Sequence, residues 1–496
     1  MVDTLPRTQF EHRAPSRVAV LGAGISGLAA ALKIRELSPQ TDVVIFDQQS
    51  RVGGVLGTVR EDGFQVERSA DNFITTLPWA MDLCRQLELG EHLVSTHPEH
   101  RRAFVVWRRR LHPLPDGFLM MAPSEFWPLA TTPLLSPWGK LRAAMEYVLP
   151  PRLDEDDESL AAFARRRLGR EVFDRLVEPL VTAVYGADTE RLSVLATLAR
   201  FREMEKKYGS LIRAMRAQKA ARKAGRHSGA KTPRESGARY SMFATLRFGL
   251  EQLVEEIVAR LPQDALRLGT QVTGLARNDS GWLVTLDNGK AFPCDAVVLA
   301  VPAYAAARVI EQLDQQLSQE LAGITYTGSV ILALAYRRED VGHPLDGSGC
   351  VIPAVEQSPL LAVSFSSQKY PHLSPEGTVL LRVFAGGARR PDLVAEEEGR
   401  LRTLLRSEVE KLLHIRGKPV REWLFRWPAA MPQYEVGHLE RLRRIEERLQ
   451  RWPGLALAGN AYRGVGIPHC IRSGWRAAGR VLGLPVEDRE FGSSPF

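Results

Sequence analysis

Three glycines at a fixed spacing are the first residues of this chain whose types could do chemistry. Gly22, Gly24 and Gly27 follow the apolar run 18–21 and precede a segment rich in Ala and Leu. Gly22 permits a tight turn, Gly24 lets the backbone approach a pyrophosphate, and Gly27 lets a helix pack closely on the strand. The helix N-terminus adds free N–H groups and the positive end of a dipole. The pattern predicts a dinucleotide-binding turn formed by Gly22, Ala23, Gly24, Ile25, Ser26 and Gly27.

A second group of polar and small residues follows the next apolar run, 43–46. Asp47 stands where a carboxylate at a strand end can accept hydrogen bonds from an adenosine ribose. Paired glycines at 53 and 54 let a second backbone segment approach the pyrophosphate, and Arg51 either adds positive charge or braces the acidic site. A plain NAD dehydrogenase does not need this second motif. FAD is therefore the first interpretation, and NAD is the alternative.

The length and the net charge of the chain restrict the number of domains and the kinds of ligand that are expected. At 496 residues the chain predicts two or three interleaved domains. Its 66 Lys and Arg against 58 Asp and Glu give a net charge of +8, which suits an anionic ligand or a membrane surface. Basic residues do not alternate with aromatic ones in a stripe, so nucleic-acid binding is not predicted.

The spacing of the cysteines and the hydropathy of the chain indicate the cellular compartment in which the protein is expected. The four cysteines are far apart and form no Cys-x-x-Cys or Cys/His cluster, so no metal site is predicted and a reduced cytoplasmic chain is expected. The first 17 residues lack a signal pattern, and no run of 18 apolar residues predicts a transmembrane helix. Peripheral contact with the inner face of a membrane stays open.

The order of apolar runs predicts the fold class. Continuous apolar strands return at 295–302 and 455–460, and the latter is followed by a glycine-rich turn and a predicted helix over 471–482. We therefore predict an α/β protein whose Rossmann-type domain is assembled from discontinuous segments. The predicted domains are a FAD-binding domain (16–100, 240–302 and 440–486), an α+β substrate-binding domain (103–115 and 303–439) and a helical subdomain (116–239).

The helical subdomain contains two unusual stretches. Residues 116–151 are apolar and aromatic and are interrupted by prolines. Three interpretations stay open: helices that close over a substrate cavity, a surface that inserts into lipid headgroups, or the core of a helical subdomain. Residues 216–239 hold eight Lys or Arg and one acid, with interspersed Gly and Pro. This composition predicts a basic surface loop, with a polyanion-binding arm as the alternative.

Several longer stretches resemble one family. They are 66–73 (VERSADNF), 159–169 (SLAAFARRRLG), 178–188 (EPLVTAVYGAD), 207–211 (KYGSL), 431–434 (MPQY) with Gly437 and His438, and 464–467 (GVGI). In this order they resemble the oxygen-dependent porphyrinogen oxidases, the protoporphyrinogen IX and coproporphyrinogen III oxidases of the flavin amine oxidase superfamily. The similarity extends over nearly the whole chain.

The resemblance implies a set of FAD-binding residues. Positions 22–27, Asp47 and Gln48 would bind the ADP half, next to Arg51 and Gly54, and Val272 would meet the adenine through its backbone. The positions that would run beside the flavin ring are Val55, Ser69, Ala70, Asp71, Asn72, Val465, Gly466 and Ile467. The chain departs from the family at Asp47 (usually Glu), at Ser69-Ala70 (usually Gly-Pro) and at Leu439 (often Trp).

The implied chemistry is desaturation of a cyclic tetrapyrrole. A methylene bridge gives hydride to the flavin, oxygen takes the electrons and hydrogen peroxide leaves, so neither a catalytic side chain nor a metal is needed. The substrate is an apolar disc with propionates, which predicts an apolar wall and at least one cation. Arg102 is the candidate cation, with an exposed strand-end charge as the alternative. Gly349 and Val351 match positions that contact the ring, while His438 and His469 are expected to be structural.

Several alternatives stay open at this point. The substrate is coproporphyrinogen III or protoporphyrinogen IX, and the arginines near 101 and 108–110 favour the more anionic coproporphyrinogen. A flavin amine oxidase, a carotenoid-type desaturase and a porphyrin carrier that holds FAD without catalysis are the rival functions. The expected partners are the porphyrinogen, oxygen and a haem-pathway ferrochelatase that receives the product. The sequence does not assign an oligomeric state.

Overall fold

A computed structural model gives the fold of the chain and describes residues 15–123, 126–227 and 242–484. The strands are β1 Arg17–Leu21, β2 Asp42–Asp47, β3 Thr58–Glu61, β4 Phe64–Glu67, β5 Phe73–Ile74, β6 Leu93–Ser95, β7 Ala103–Trp107, β8 Arg110–Pro113, β9 Phe118–Leu119, β10 Ala122–Pro123, β11 Phe243–Leu246, β12 Leu266–Leu268, β13 Val272–Asn278, β14 Gly281–Leu286, β15 Ala291–Cys294, β16 Ala296–Leu299, β17 Tyr326–Arg337, β18 Gly349–Val351, β19 Leu360–Phe365, β20 Thr378–Gly386, β21 Arg421–Pro432 and β22 Leu455–Leu457.

The α-helices of the described ranges are α1 Ile25–Leu37, α2 Pro78–Gln86, α3 Phe126–Thr131, α4 Pro137–Ala144, α5 Leu160–Leu168, α6 Arg170–Val172, α7 Glu178–Tyr185, α8 Val194–Tyr208, α9 Leu211–His227, α10 Glu251–Ala259, α11 Ala303–Ile310, α12 Gln315–Ala322, α13 Ser366–Lys369, α14 Glu398–Leu413, α15 His438–Leu449 and α16 Ile467–Val481. A π-helical segment, Phe173–Val177, joins α6 to α7. Within the described ranges, none of the helices combines the length and the apolar content that crossing a bilayer requires.

A five-stranded parallel sheet forms the centre of the nucleotide-binding part. Its order is β12-β2-β1-β16-β22, and β1 pairs in parallel with both β2 and β16. Four residues of β1 and all of β16 are buried, as expected for strands covered on both faces by helices. The strands come from three separated segments of the chain. This confirms the α/β class and the discontinuous Rossmann-type assembly predicted from the apolar runs.

A seven-stranded mixed sheet forms the second large layer. Its order is β21-β17-β20-β19-β18-β7-β8, and β7 pairs in parallel with β18 while the other neighbours are antiparallel. The sheet therefore combines chain segment 103–113 with segment 326–432. One face packs on α14 through a core that includes Leu401, Leu405 and Val409. The domain boundaries proposed from the sequence stay predictions.

Helices α3 to α9 surround a third core, and buried ion pairs join several of them. Arg167 binds the Glu146 carboxylate with both side chains fully buried. Arg202 lies 2.8 Å from Glu205, and Arg166 also contacts Glu205. Such pairs contribute little net stability, but removing one partner leaves a buried charge uncompensated. The network therefore links α5 and α8 to the segment after α4.

The structure corrects the prediction of a basic loop over 216–239. Residues 216–227 continue α9, which begins at Leu211, and residues 228–239 lie outside the described ranges. Ala, Lys, Arg and Gln are strong helix formers, so the segment is helical in spite of its charge. The prediction gave too much weight to the interspersed glycines and the charge run.

Local signals set the bounds of several helices. The φ of +89° at Gly169 ends α5, which begins after Ser159. Helix α2 ends at Gln86, and the side chain of Glu397 caps the start of α14 at Glu398. The last helix begins at Ile467 instead of 471, because Pro468 fits the first turn of a helix.

Candidate functional site

The two glycine loops lie side by side at the end of the parallel sheet. The Gly53 N–H donates to the Ala23 carbonyl at 2.8 Å, and Gly24 and Gly53 form an isolated parallel bridge. A Cβ built on Gly54 would lie 3.2 Å from the Gly24 Cα. Two backbone segments that the sequence separates by about thirty positions therefore form one continuous surface.

Each glycine of the first loop has a different role. Gly22 has a φ of +107°, and a Cβ there would lie 2.6 Å from the Ala300 carbonyl oxygen. A Cβ on Gly27 would overlap the Gly22 carbonyl, so α1 and the turn touch only because this residue has no side chain. A Cβ on Gly24 meets nothing within 4 Å. Gly22 and Gly27 are thus required by packing, whereas Gly24 faces open space at the N-terminus of α1, as an approaching diphosphate requires.

Asp47 ends β2 with both carboxylate oxygens turned towards backbone N–H groups. One oxygen accepts from the Ala23 N–H at 2.7 Å, and the other accepts from the Gln49 N–H at 2.8 Å. The Thr270 N–H donates to the Asp47 carbonyl at 2.9 Å, which places Val272 two residues from this strand end. Gln48 is exposed next to it. The structure therefore brings Asp47, Gln48 and Val272 together beside the first glycine loop.

Arg51 braces the second loop through its carbonyl groups. Its guanidinium donates to the carbonyls of Leu56 at 2.8 Å and of Gly54. Burial lowers the pKa of Arg51, and the nearby Arg68 lowers it further. The sequence left two roles open for Arg51, added positive charge at the loop or bracing of the acidic site. The geometry supports bracing, but Arg51 braces the carbonyl groups of the second loop and not Asp47. Val55, half-exposed, lies next to these carbonyls.

Asp71 lies in a buried ion cluster that the sequence analysis did not identify. Its carboxylate is 2.7 Å from the Lys369 ammonium and 3.3 Å from a guanidinium nitrogen of Arg382. Burial opposes ionisation, but Lys369 and Arg382 outweigh it and lower the pKa of Asp71 to about 2. The side-chain amide of Asn72 donates to Asp71 at 2.9 Å. The segment that would flank a flavin is therefore held by one charge from the seven-stranded sheet and one from α13.

Arg382 also contacts the backbone that leads to Asp71. It donates to the Glu67 carbonyl at 3.1 Å and to the Ser69 carbonyl, and it is 1% exposed. Burial raises the pKa of the Glu67 carboxyl to about 7. The only sequence signal for this arrangement was one arginine inside the apolar run 379–385 of β20. The backbone at Ser69 thus lies against β20, an inner strand of the larger sheet.

The glycine turn before α16 is fixed by a tyrosine. The Gly464 N–H donates to the Tyr434 hydroxyl oxygen at 2.8 Å, and that hydroxyl donates to the Asn460 carbonyl. The imidazole of His438 stacks on the Tyr434 ring at 4.3 Å, and its Nε2 lies 3.0 Å from the Tyr462 carbonyl. These contacts position the backbone of Val465, Gly466 and Ile467, the last of which begins α16.

His469 lies on the first turn of α16 and packs against Trp79, with ring centroids 5.9 Å apart. Burial, together with a smaller effect of Arg472, lowers the pKa of His469 to about 4. A neutral ring packed in this way is a structural group at neutral pH. Neither His438 nor His469 has the geometry of an exposed general base.

Several apolar side chains that pack on the helical core stay partly exposed. Trp107, Tyr185, Val351 and Val465 are partly buried and pack on the same helical core. Gly349 and Val351 pair with Ala103 and Val105 across the parallel β7–β18 contact. A flat apolar ligand would find here side chains that are not fully covered by the protein.

Arg102 lies beside Gly349 at the start of β7. Its side chain is 55% exposed, and one guanidinium nitrogen is 3.7 Å from the Asp346 carboxylate. Ser348 donates to the Arg102 carbonyl at 2.7 Å through its N–H, so the backbone is fixed while the guanidinium stays at the surface. The position agrees with either alternative given for this residue, a ligand-binding cation or an exposed strand-end charge.

A cleft of about 350 Å³ opens between the helical part and the seven-stranded sheet. Arg389 crosses it, donating to Glu178 at 3.0 Å and to the Ile352 carbonyl at 2.9 Å. The residues that line it are Arg165, Phe173, Asp174, Glu178, Ala187, Asp188, Thr189, Glu190, Ala354, Val355, Ala388 and Arg389. Its lining includes Ala354, three residues after Val351, and Arg389, which follows β20 and which the sequence analysis missed.

Comparisons with known proteins agree with this geometry. The profile of flavin containing amine oxidoreductases matches residues 25–482. A coproporphyrinogen III oxidase of Bacillus subtilis (strain 168) is 34% identical over 94% of this chain and 97% of its own length. A chloroplastic protoporphyrinogen oxidase of Nicotiana tabacum is 29% identical over 94% of this chain and 85% of its own length.

A solved structure shows the same arrangement of layers. The crystal structure of a bacterial protein assigned as a protoporphyrinogen oxidase, from Exiguobacterium sp. 255-15, superposes with a TM-score of 0.81. The two chains are 29% identical, and the match covers 93% of this chain and 98% of that one. The likeness therefore extends over the parallel sheet, the mixed sheet and the helical part together.

Proposed function

We propose that this chain, which belongs to the flavin containing amine oxidoreductase family, oxidises a porphyrinogen to a porphyrin in haem biosynthesis. The observation that carries the proposal is the similarity to a coproporphyrinogen III oxidase over 94% of this chain. Family membership makes the protein a flavoprotein oxidoreductase. Beyond family membership, we propose which flavin the protein binds, which electron acceptor it uses and which substrate it oxidises.

FAD is the flavin that the site fits. Two adjacent glycine loops with an open position at Gly24 suit a diphosphate, and the strand end at Asp47 lies beside Val272, where a ribose and an adenine would follow. A mononucleotide flavin would leave the second half of this surface without a ligand. When bound, the flavin accepts hydride from an activated C–H bond and passes the electrons on, in our proposal to oxygen.

The residues of this chain bind and orient the substrate. Trp107, Val351 and Val465 would supply apolar contacts for the macrocycle, and Arg102 and Arg389 are the cations that we propose as partners for propionates. The Asp71 cluster holds segment 69–72 in place, which fixes one edge of the cavity. Because C–H bonds of a porphyrinogen are already activated, positioning supplies most of the rate increase, and no catalytic side chain is proposed.

Coproporphyrinogen III is the substrate that we propose first. It carries four propionates, and the relative that acts on it by name is 34% identical, compared with 29% for the protoporphyrinogen relative. The arginines at 101, 102 and 108–110 favour the more anionic of the two substrates. Transfer of the product to a haem-pathway ferrochelatase stays a prediction.

The assay supplies each porphyrinogen separately under air and follows porphyrin fluorescence and hydrogen peroxide. We expect FAD-dependent formation of coproporphyrin, with peroxide released, and slower oxidation of protoporphyrinogen IX. Protein that remains colourless with FAD, or porphyrin formation equal to that of the FAD-free control, would contradict the proposal. Tight porphyrin binding without turnover would instead indicate a carrier, and peroxide from amines would indicate an amine oxidase.

We also propose that the helical part rests on a membrane surface. Trp127 and Trp138 are 73% and 79% exposed, and further exposed apolar side chains lie within the same stretch of chain: Leu141, Met145, Tyr147, Val148 and Leu153. Trp at an exposed position next to basic residues is typical of helices that lie in the headgroup region. The net charge of +8 favours anionic lipids.

Flotation with vesicles that contain about one third anionic lipid tests the membrane proposal. We expect the wild type to float, and the variant Trp127→Ser with Trp138→Ser to stay in the soluble fraction with its flavin bound. Phe248→Ser, which removes an aromatic residue that is 49% exposed on another part of the molecule, is the matched control and should float. Equal flotation of the double variant and the wild type would contradict the proposal.

A further inference from the structure

A short turn between β6 and β7 gathers three side chains of metal-binding types. His97, Glu99 and His100 each offer one ligand atom, and these atoms all lie within 4.8 Å of one another. The turn is a 3₁₀ segment that begins at Pro98, and the His100 N–H donates to the His97 carbonyl at 3.2 Å. The sequence analysis predicted no metal site because it considered cysteines, which this cluster lacks.

The three side chains have no competing partners in the described part of the chain. The Nδ1 atoms of His97 and His100 are buried and make no hydrogen bond to any described residue. Within the same described ranges, no hydrogen bond or ion pair engages the Glu99 carboxylate, which is exposed. A buried nitrogen without a partner is unfavourable, since it has lost water without gaining a hydrogen bond. Both rings are therefore available as ligands.

The surroundings hold the turn, and two cations close to it are paired with carboxylates. The His97 N–H donates to the Lys369 carbonyl at 2.9 Å, which attaches the turn to the end of α13. The Lys369 ammonium is paired with Asp71 at 2.7 Å, and Arg102 lies 3.7 Å from Asp346. Because each of these cations faces a carboxylate, their repulsion of a divalent ion is reduced.

We propose that His97, Glu99 and His100 bind one divalent transition-metal ion, for which zinc is the chemical prototype. In a tetrahedral zinc site the ligand atoms lie about 3.3 Å apart, so the cluster needs to contract by roughly 1.5 Å at most, which side-chain rotation can supply. Two imidazoles and one carboxylate favour zinc, cobalt, nickel or copper over magnesium and calcium, which prefer oxygen ligands. Water completes the coordination.

The ion ties together two parts of the fold. The turn connects β6, which pairs with β11 beside the nucleotide-binding sheet, to β7 of the seven-stranded sheet. It also touches α13, whose Lys369 belongs to the Asp71 cluster. An ion bound here stabilises the folded protein in proportion to the logarithm of its concentration over the dissociation constant.

Titration of chelator-treated, tag-free, flavin-loaded protein with Co²⁺ and Zn²⁺ tests the site. Calorimetry and the visible absorption of Co²⁺ report binding, and the thermal midpoint reports stability. We expect one equivalent of metal and a rise of the midpoint by a few degrees. His97→Ala with His100→Ala should weaken binding by roughly tenfold or more and remove the rise. Glu99→Gln should have a smaller effect of the same sign.

His414→Asn is the matched control, since it removes an exposed histidine at the end of α14 and Asn tolerates the left-handed backbone found there. This variant should bind metal as the wild type does. Equal affinity of the double variant and the wild type, or a midpoint that metal does not shift, would overturn the proposal as an adventitious ion only. If the double variant does not fold, the single variant His100→Ala decides between the same outcomes.

Discussion

The glycine loops and the Asp71 cluster border the same candidate site but are specified in different ways. The loops are made of backbone: Gly53 bonds to Ala23, and a missing Cβ at Gly27 permits the contact between α1 and the turn. The Asp71 cluster is made of side chains, and its lysine lies 298 positions along the chain from Asp71. A local motif can therefore specify the first region, whereas the second exists only after two sheets have packed together.

The largest expected effect comes from breaking the Asp71 cluster. Arg382→Met leaves Asp71 with Lys369 alone and removes the hydrogen bonds to the Glu67 and Ser69 carbonyls, so we expect a loss of about 3–5 kcal/mol in the free energy of unfolding. Urea denaturation measures it. Arg421→Met is the matched control, because its pair with Asp62 is half-exposed and should be worth no more than about 1 kcal/mol. Equal losses of unfolding free energy in the two variants would show that the buried cluster stabilises the protein no more than an exposed ion pair does.

The buried carboxylates next to the loops should also give a distinctive pH dependence. The pKa of Glu67 is raised from 4.5 to about 7, so its stabilising contribution is complete below pH 4.5 and is lost as the pH rises through 7. Compared with Glu67→Gln, the wild type should lose about 3 kcal/mol between pH 4 and pH 8. The exposed Glu376→Gln is the control and should follow the wild type.

The contribution of Asp71 to stability should depend on pH in the opposite direction to that of Glu67. Its pKa is lowered from 3.8 to about 2, so its contribution is present above pH 4 and is lost as the pH falls towards 2. The difference in unfolding free energy between wild type and Asp71→Asn should therefore vanish in strong acid. A difference at pH 2 that is as large as the difference at pH 7 would contradict the ionised cluster.

The glycine loops can be separated into packing and ligand contributions. Gly27→Ala places a Cβ on the Gly22 carbonyl and should destabilise the flavin-free protein by about 1–3 kcal/mol. Gly24→Ala meets nothing within 4 Å, so the flavin-free protein should unfold as the wild type does while its affinity for FAD falls. Thermal unfolding and flavin titration measure the two quantities. Retained FAD affinity in Gly24→Ala would exclude this loop as the diphosphate site.

The smallest expected effect comes from Arg102, the exposed cation that we propose as a partner for a substrate propionate. Arg102 is half-exposed and already faces Asp346, so Arg102→Gln should raise the KM for coproporphyrinogen III by no more than about fivefold, with kcat unchanged. Asp346→Asn frees the same guanidinium and should lower the KM. A change in kcat would indicate a role at the reacting carbon and not at a propionate.

Particular residues show how far the sequence could predict this molecule. Gly22, Gly24 and Gly27 lie between the predicted strand and helix and Asp47 ends the next strand, because these elements follow one another locally, while their role in binding FAD stays a prediction. Lys369 and Arg382 could not be predicted, since nothing near Asp71 in the chain indicates its partners. Basic residues after position 216 suggested a loop, although their intrinsic propensity favours the helix that the structure contains.

The order of the strands in the parallel sheet has a consequence for biosynthesis. The edge strand β22 and the turn that leads into α16 are translated after residue 454, yet they pair with a strand that is complete by residue 299. While the chain is being translated, the central sheet therefore lacks one edge strand until the last tenth of the sequence has been made. The turn before α16 borders the candidate flavin site, so that site is also completed late in folding.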